Sequence, residues 1–149
     1  MSSNDGLIKR IEDKIEKCIA ISEQLPKSAY TSIRGKPYLQ VHHRIKIFRQ
    51  VFGLRCCIYN QILWCNDKEV CIKSSVYFTT TGKEYHLLAT GHAQEFKTGN
   101  INTYSAIENG ETSAVGRALG GLGIIGTGVA LASAEEMVIS NNKRQLRGN

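Results

Sequence analysis

Three consecutive segments in the middle of the chain have the pattern of β-strands and are joined by very short connections. They are 55–65, 69–78 and 85–96, and Asn66-Asp67-Lys68 and Thr81-Gly82-Lys83 between them have the composition of turns. Strands joined by such short turns pair antiparallel, because a parallel pair needs a long crossover connection. The sequence therefore predicts a three-stranded antiparallel meander with one packed face and one more polar face.

Alternation of apolar and polar residues assigns side chains to the two faces of this sheet. In the second segment one face carries Val70, Ile72, Val76 and Phe78, and the other carries Lys73, Ser75 and Tyr77. In the third segment the same rule places Tyr85, Leu87, Ala89 and Ala93 opposite His86, Thr90, His92 and Gln94.

Helical patterns flank the strands on both sides. Apolar residues spaced by three and four predict an amphipathic helix over 6–25, which packs on the domain or, alternatively, on a neighbouring subunit. A polar link over 27–36 leads to a second helix over 38–52, with Pro37 in its first turn and Gly53 after its end.

A third helix is predicted from about Ser105, where Ser105-x-x-Glu108 has the form of a capping box, to about Leu119. One line of this helix carries only small residues, which would let the backbone of the sheet come close: Gly110, Ala114 and Ala118. Ser133-x-x-Glu136 predicts a last short helix, and 140–149 is a basic tail.

We therefore expect one α+β domain over 1–149, in which a β-β-β-α core packs the three-stranded meander against a long helix behind N-terminal helices.

Positive charge is concentrated in one part of the chain. The sequence has 19 Lys and Arg and 13 Asp and Glu, and its net charge is +6. Residues 26–66 contain no acidic residue and seven basic ones, namely Lys27, Arg34, Lys36, Arg44, Lys46, Arg49 and Arg55. His42, Lys46 and Arg49 form a row along one side of the second helix. A local block of this kind favours a polyanionic partner such as a nucleic acid.

The aromatic residues near this block have two interpretations. Stacking on bases would suit Tyr38, Tyr59, Trp64 and Tyr77. For Trp64, Phe48 and Phe52 we favour a place in the hydrophobic core, whereas for Tyr38 both interpretations stay open.

Patterns for cofactors, metals and catalysis are weak. Gly121-x-Gly123-x-x-Gly126 follows a predicted helix rather than a strand and has no acidic residue about twenty positions later, so we interpret it as a helix terminator and close turn rather than a dinucleotide site. The five cysteines lack metal-ligand spacing, although Cys65 and Cys71 with His86 and His92 are an alternative zinc set. We predict reduced thiols, no metal site, no cofactor and no catalytic residues.

Two segments resemble a known family. The run from Ser105 to Ile124 (SAIENGETSAVGRALGGLGI) and Ala132-Ser-Ala-Glu-Glu136 are similar to the helix signature of phage single-strand annealing and DNA-recombination proteins. The preceding helix ending in Phe52-Gly53 and the meander are similar to the Erf and Sak phage proteins and to the Rad fifty-two annealing protein. The resemblance spans about 38–136.

This resemblance implies an oligomeric ring or filament that binds single-stranded DNA in a basic groove, without a nucleotide cofactor, in recombination and repair. It implies a DNA contact at Arg117 and another on the helix around His43 and Arg44. Because the third helix carries only this one basic residue, we place the main surface on 34–55. The expected DNA-binding residues are Arg34, Lys36, Tyr38, His42, His43, Arg44, Lys46, Arg49, Arg55, Lys73 and Arg117.

The leading hypothesis is thus a phage-type protein that binds and anneals single strands in the host cytoplasm as a homo-oligomer, with a phage exonuclease or a single-strand-binding protein as further partners. The alternatives are a passive single-strand-binding module, a metal-dependent nuclease using Glu108, Glu111 and histidines, and a scaffold with an incidental basic patch. No segment has the length of a transmembrane helix.

Overall fold

The computed structural model describes residues 3–98 and 102–128. Its helices are α1 (Ser3–Glu23), α2 (Val41–Phe52) and α3 (Asn102–Gly121). A two-stranded hairpin, β1 (Tyr30–Ile33) and β2 (Lys36–Leu39), precedes α2, and the strands β3 (Cys56–Cys65), β4 (Glu69–Thr79) and β5 (Tyr85–Phe96) form a second sheet. Strand order β3-β4-β5 with α3 against it confirms the predicted α+β core.

The predicted link over 27–36 and the predicted start of the second helix are wrong. Arg34 and Gly35 have φ of 52° and 74°, the left-handed pair that closes a two-residue β-hairpin. Pro37 and Tyr38 therefore belong to β2, where they pair with Ser32 and Thr31. Helix α2 begins only at Val41, because Gln40 before it has extended backbone angles.

The helix predicted over 6–25 is present as α1, with slightly earlier bounds. In α3 the backbone leaves helical geometry at Ser105, with φ of −127° and ψ of 23°, so regular helix follows this residue as the sequence predicts. The short helix predicted from Ser133 and the basic tail lie outside the described residues.

Two irregularities in pairing shift the faces of the main sheet. One lies between Ile62 and Trp64 on β3, and the other opposite Val76 and Tyr77, where Ala89 and Leu87 are the partners. The second makes Leu88 an extra residue that packs against the core. Leu87 and Tyr85 consequently point to the opposite face from Ala89 and Ala93, which corrects the simple alternation predicted for this strand.

Helix α3 lies very close to the sheet. A Cβ atom on Gly91 of β5 would be 2.5 Å from the Ala118 amide nitrogen and closer still to the Ala114 carbonyl oxygen, and one on Gly110 would be 3.0 Å from Ile72 Cδ1. The line Gly110, Ala114 and Ala118 therefore faces the sheet, as predicted. Close approach of backbones requires small residues on both elements.

The main core lies between α1, α2, α3 and the helix-facing side of the sheet. Phe48 and Phe52 are buried there, which confirms their predicted place, and their ring centroids are 4.7 Å apart. The Phe52 ring meets Phe78 of β4 edge-on at 5.4 Å. Cys18 brings α1 into the same cluster.

The glycine-rich segment ends α3 and is tied to the N-terminal region. Gly123 and Gly126 have φ of 89° and 60°, and the Gly126 N–H donates to Ser22 Oγ at 3.1 Å. The Thr127 N–H donates to the Tyr30 hydroxyl at 3.1 Å. These contacts confirm the interpretation of a helix terminator followed by a close turn. None of the described helices is long and apolar enough to cross a membrane.

The contact at Gly91 generates a stability prediction. Gly91→Ala should lower the free energy of unfolding by about 1–3 kcal/mol or more, because backbone atoms of α3 cannot move away from the added methyl group. Urea denaturation measures this change. Gly121→Ala is the matched control, since nothing lies within 4 Å of its added Cβ, and it should leave stability unchanged or raise it by up to about 1 kcal/mol. Equal effects of the two substitutions would contradict the close α3–sheet contact.

Candidate nucleic-acid interface

The acid-free block of residues 26–66 folds into the hairpin, α2 and the edge strand β3. All of its basic side chains except Arg44 are exposed. The exposed ones are Lys27, Arg34, Lys36, Lys46, Arg49 and Arg55.

The predicted basic row lies on the solvent side of α2. His42, Lys46 and Arg49 are all exposed, and the Arg49 guanidinium donates to the Cys56 carbonyl at 3.1 Å. Arg55, next to this carbonyl in the chain, donates to the Thr80 carbonyl at 3.1 Å. We call the surface formed by His42, Lys46, Arg49 and Arg55 the α2 basic surface. Two of its guanidinium groups are thus held in place by backbone carbonyls.

Two further predicted contacts lie close to this surface in sequence but belong to the hairpin. Arg34 and Lys36 are exposed at its tip. His43 is half-buried on α2, with its ring centroid 4.0 Å from that of His42.

Tyr38 and Arg44 are not surface residues, so their predicted role as DNA contacts is wrong. Tyr38 is buried with Ile33 within the hairpin. Arg44 is 0% exposed, and its guanidinium donates to the Gly116 carbonyl of α3 at 2.7 Å and to the Leu39 carbonyl at 3.2 Å. Arg44 therefore joins α2, α3 and β2. It sits on the inward side of α2 that the periodicity of apolar residues predicts for the core.

The predicted groove that combines residues 34–55 with Arg117 does not form. Val115 of α3 lines a groove of about 350 Å³ together with Val41, His42 and Ile45 of α2. Arg117 is two residues further along, about 200° around the helix axis, and its Cβ faces Gly91 of β5. Arg117 is exposed on the β5 side of α3, away from α2.

Lys73 is also separated from α2. It is on β4 and pairs with Gln61 and His92, on the face of the sheet opposite the helices. Trp64 is on the same face and is 46% exposed, so its predicted place in the core is wrong. The bulge before Trp64 puts its side chain on the opposite face from the one that simple alternation gives, and the bulge in β5 does the same for Tyr85. Alternation does place Phe96 on the polar face with Gln94, so the sequence contains the signal for this exposed aromatic residue.

The thiols differ in exposure. Burial raises the pKa of Cys18 to about 11 and also raises the pKa of Cys56 and of Cys71, so these three thiols are protonated at neutral pH. Cys65 is exposed and accepts a hydrogen bond from Lys97 Nζ at 3.3 Å. In residues 3–98 and 102–128, no three His, Cys, Asp or Glu side chains group closely enough to hold a metal ion.

Comparison with known protein families identifies a related family. The family described as Slr1353 N-terminal dsRNA-binding domain-like matches residues 45–122, just over half of the chain. The chain belongs to this family. The matched region runs from the middle of α2 to the turn after α3 and contains the whole β3-β4-β5 sheet. No match was found among curated proteins or among solved structures.

The burial of Arg44 generates a second prediction. Arg44→Met should lower the free energy of unfolding by about 2–4 kcal/mol, because the Gly116 and Leu39 carbonyls would lose their charged donor inside the protein. Lys46→Met, on the exposed side of the same helix, should change it by less than about 0.5 kcal/mol. Thermal and urea unfolding of both variants measure this difference. An Arg44 variant as stable as the Lys46 variant would contradict the bridging role.

Proposed function

We propose that this protein binds nucleic acid through the α2 basic surface, and that its activity is ATP-independent annealing of single-stranded DNA. The observation that carries the proposal is the exposure of His42, Lys46, Arg49 and Arg55 within a segment that contains no acidic residue. Membership of a family described by a dsRNA-binding-like domain supports nucleic acid as the partner.

The chemistry of this surface suits a phosphate backbone. Lysine and arginine neutralise phosphates and release counterions, which provides affinity without reading the bases. Arg49 and Arg55 are held by backbone carbonyls, so less side-chain entropy is lost when they bind. Bases left free in this way are what pairing with a second strand requires.

Annealing and assembly rest on the resemblance of 105–124 to phage annealing proteins. This resemblance implies a homo-oligomeric ring or filament, a place in DNA recombination, and a phage exonuclease or single-strand-binding protein as partners. We propose a binding protein rather than an enzyme. Light scattering and electron microscopy test the assembly, and particles that remain monomeric with and without oligonucleotide would contradict it.

Double-stranded RNA is the second candidate ligand, because the matching family is described as dsRNA-binding domain-like. Titration of single-stranded DNA, single-stranded RNA and both duplexes of equal length separates the two. Preference for duplex RNA at matched salt would favour this candidate over annealing.

A charge-removal prediction tests the α2 basic surface. Lys46→Gln with Arg49→Gln should weaken oligonucleotide binding about tenfold and reduce the slope of log affinity against log salt by about 1 for each lost phosphate contact. Fluorescence anisotropy at several salt concentrations measures both quantities. Lys9→Gln with Lys17→Gln on α1 removes the same charge from an exposed helix face that also carries Glu12, Asp13 and Glu16, and should have little effect. Equal losses in both double variants would place the binding surface elsewhere.

The annealing activity has its own assay. With two complementary labelled strands and no ATP, the protein should accelerate duplex formation, and the Lys46/Arg49 double variant should be slower at equal concentration. Binding without acceleration would reduce the function to passive coating. Cleavage of the strands when magnesium or manganese is added would instead indicate a nuclease.

A further inference from the structure

The face of the main sheet that points away from the helices is a second surface with a distinct character. Cross-strand pairing identifies it, because directly paired residues share a face. Four rows run across all three strands: Cys57–Tyr77–Leu87, Tyr59–Ser75–Thr90, Gln61–Lys73–His92 and Trp64–Cys71–Gln94. The pairs Thr79–Tyr85 and Glu69–Phe96 lie at its two ends. We call it the open face. Among the described residues α3 lies on the other side of the sheet, against Gly91 and Ile72.

Aromatic rings are concentrated on the open face. Tyr59 is 57% exposed, Tyr85 54%, Trp64 46% and Phe96 42%, and Tyr77 is half-buried between its neighbours. Tyrosines gather at one end of the face, and Trp64 with Phe96 at the other. Same-face residues along a strand are about 7 Å apart, so the Tyr59 and Trp64 rows are separated by about 14 Å along β4.

The centre of the open face is polar and basic rather than apolar. Lys73 occupies the middle of the sheet, flanked in its row by Gln61 and His92. The carboxylate at one end, Glu69, accepts hydrogen bonds from Trp64 Nε1 at 3.0 Å and from Gln94 Nε2 at 2.7 Å. A lysine in the middle of the patch disfavours a protein partner, because charged residues are depleted from the centres of protein interfaces.

Exposed rings on either side of a cation match the alternation of bases and phosphates in an unpaired strand. Aromatic side chains stack on bases of any sequence, and nearby cations neutralise the backbone between them. Sheets that present aromatic side chains bind single strands in this way. A duplex cannot use such a surface, since its bases are already stacked and paired.

We propose that the open face is a binding site for the unpaired bases of a single nucleic-acid strand, separate from the α2 basic surface. Tyr59, Tyr85 and Trp64 stack on bases, and Lys73 contacts the phosphates between them. This inference rests on the proposed nucleic-acid function and adds the discrimination between unpaired and paired strands.

The two surfaces lie on opposite sides of the sheet, because α2 packs on the helix-bearing side through Phe52 and Phe78. They therefore respond to different variants. Loss of the α2 basic surface should weaken single strands and duplexes alike, whereas loss of the open face should weaken single strands alone.

Trp64 offers a direct measurement, because it is the single tryptophan of the chain. Binding of oligo(dT) or oligo(rU) to the full-length protein should quench its fluorescence in parallel with the anisotropy of the labelled oligonucleotide. A duplex of equal length should bind without this quenching. Unchanged tryptophan emission at saturating single strand would overturn the proposal.

Substitutions of the tyrosines complete the test. Tyr59→Leu with Tyr85→Leu should lower affinity for oligo(dT) at least about tenfold and change duplex affinity less than about twofold. Tyr59→Phe with Tyr85→Phe should restore binding because the ring is kept. Tyr104→Leu, at an exposed tyrosine on α3, is the matched control.

Other results distinguish failure of the open-face proposal from failure of the proposed function. If single-strand affinity is unchanged in the Leu variants but falls in Lys46→Gln with Arg49→Gln, the strand binds on α2 alone. If the Leu variants instead abolish self-association, measured by sedimentation without nucleic acid, the face is a contact between copies. If the unaltered protein binds no strand of either kind, both proposals fail together.

Discussion

The contact between the backbone of α3 and Gly91 of β5 determines how the rest of the molecule is arranged. Because Gly91 has no side chain and both Ala114 and Ala118 carry only a methyl group, the backbone of the helix lies directly on the sheet. It covers the Gly91 side of β5 and leaves room beside it for α2 over the β3 side. All described helices consequently lie on one face of the three-stranded sheet, and the other face is left to the aromatic and polar residues of the strands.

Arg44 fixes the position of α2 beside α3 and β2. Its guanidinium reaches from α2 to a carbonyl in the middle of α3 and to the end of β2, so one side chain joins α3 to two neighbouring elements that are far from it in sequence. Burying an arginine is costly unless its donors are satisfied, and here backbone carbonyls accept hydrogen bonds from both terminal nitrogens of the guanidinium. The turn of Arg44 towards the interior leaves His42, Lys46 and Arg49 to form the outer side of the same helix.

The molecule therefore presents two chemically different surfaces. The α2 basic surface offers cations anchored by carbonyls, which suits a phosphate backbone of any structure. The open face offers rings and a central lysine, which suits bases that have no partner strand. A protein that anneals strands must bind phosphates while keeping bases available, and a division of these tasks between two sides of one sheet would serve that purpose. The same division would let a member of a dsRNA-binding-like family distinguish paired from unpaired strands.

Much of the fold could be predicted from the sequence, because local patterns decide it. Turn residues between 55 and 96 established the meander, the small residues at Gly110, Ala114 and Ala118 marked the side of α3 that meets the sheet, and the spacing of His42, Lys46 and Arg49 placed them on one side of α2. The hairpin over 30–39 was not predicted because its turn contains Arg34 with a positive φ, and arginine rarely adopts this left-handed backbone conformation.

The placement of individual functional residues was decided by tertiary structure. Sequence alone determined where positive charge is concentrated and which strands pair, since both follow from residue type and spacing. Only the tertiary structure shows that Arg44 and Tyr38 are buried and that Trp64 is exposed. It also shows that Arg117 lies on the side of α3 away from α2. Burial depends on which long-range partner covers a side chain, and two bulges reversed the faces of β3 and β5 in a way that no local pattern records.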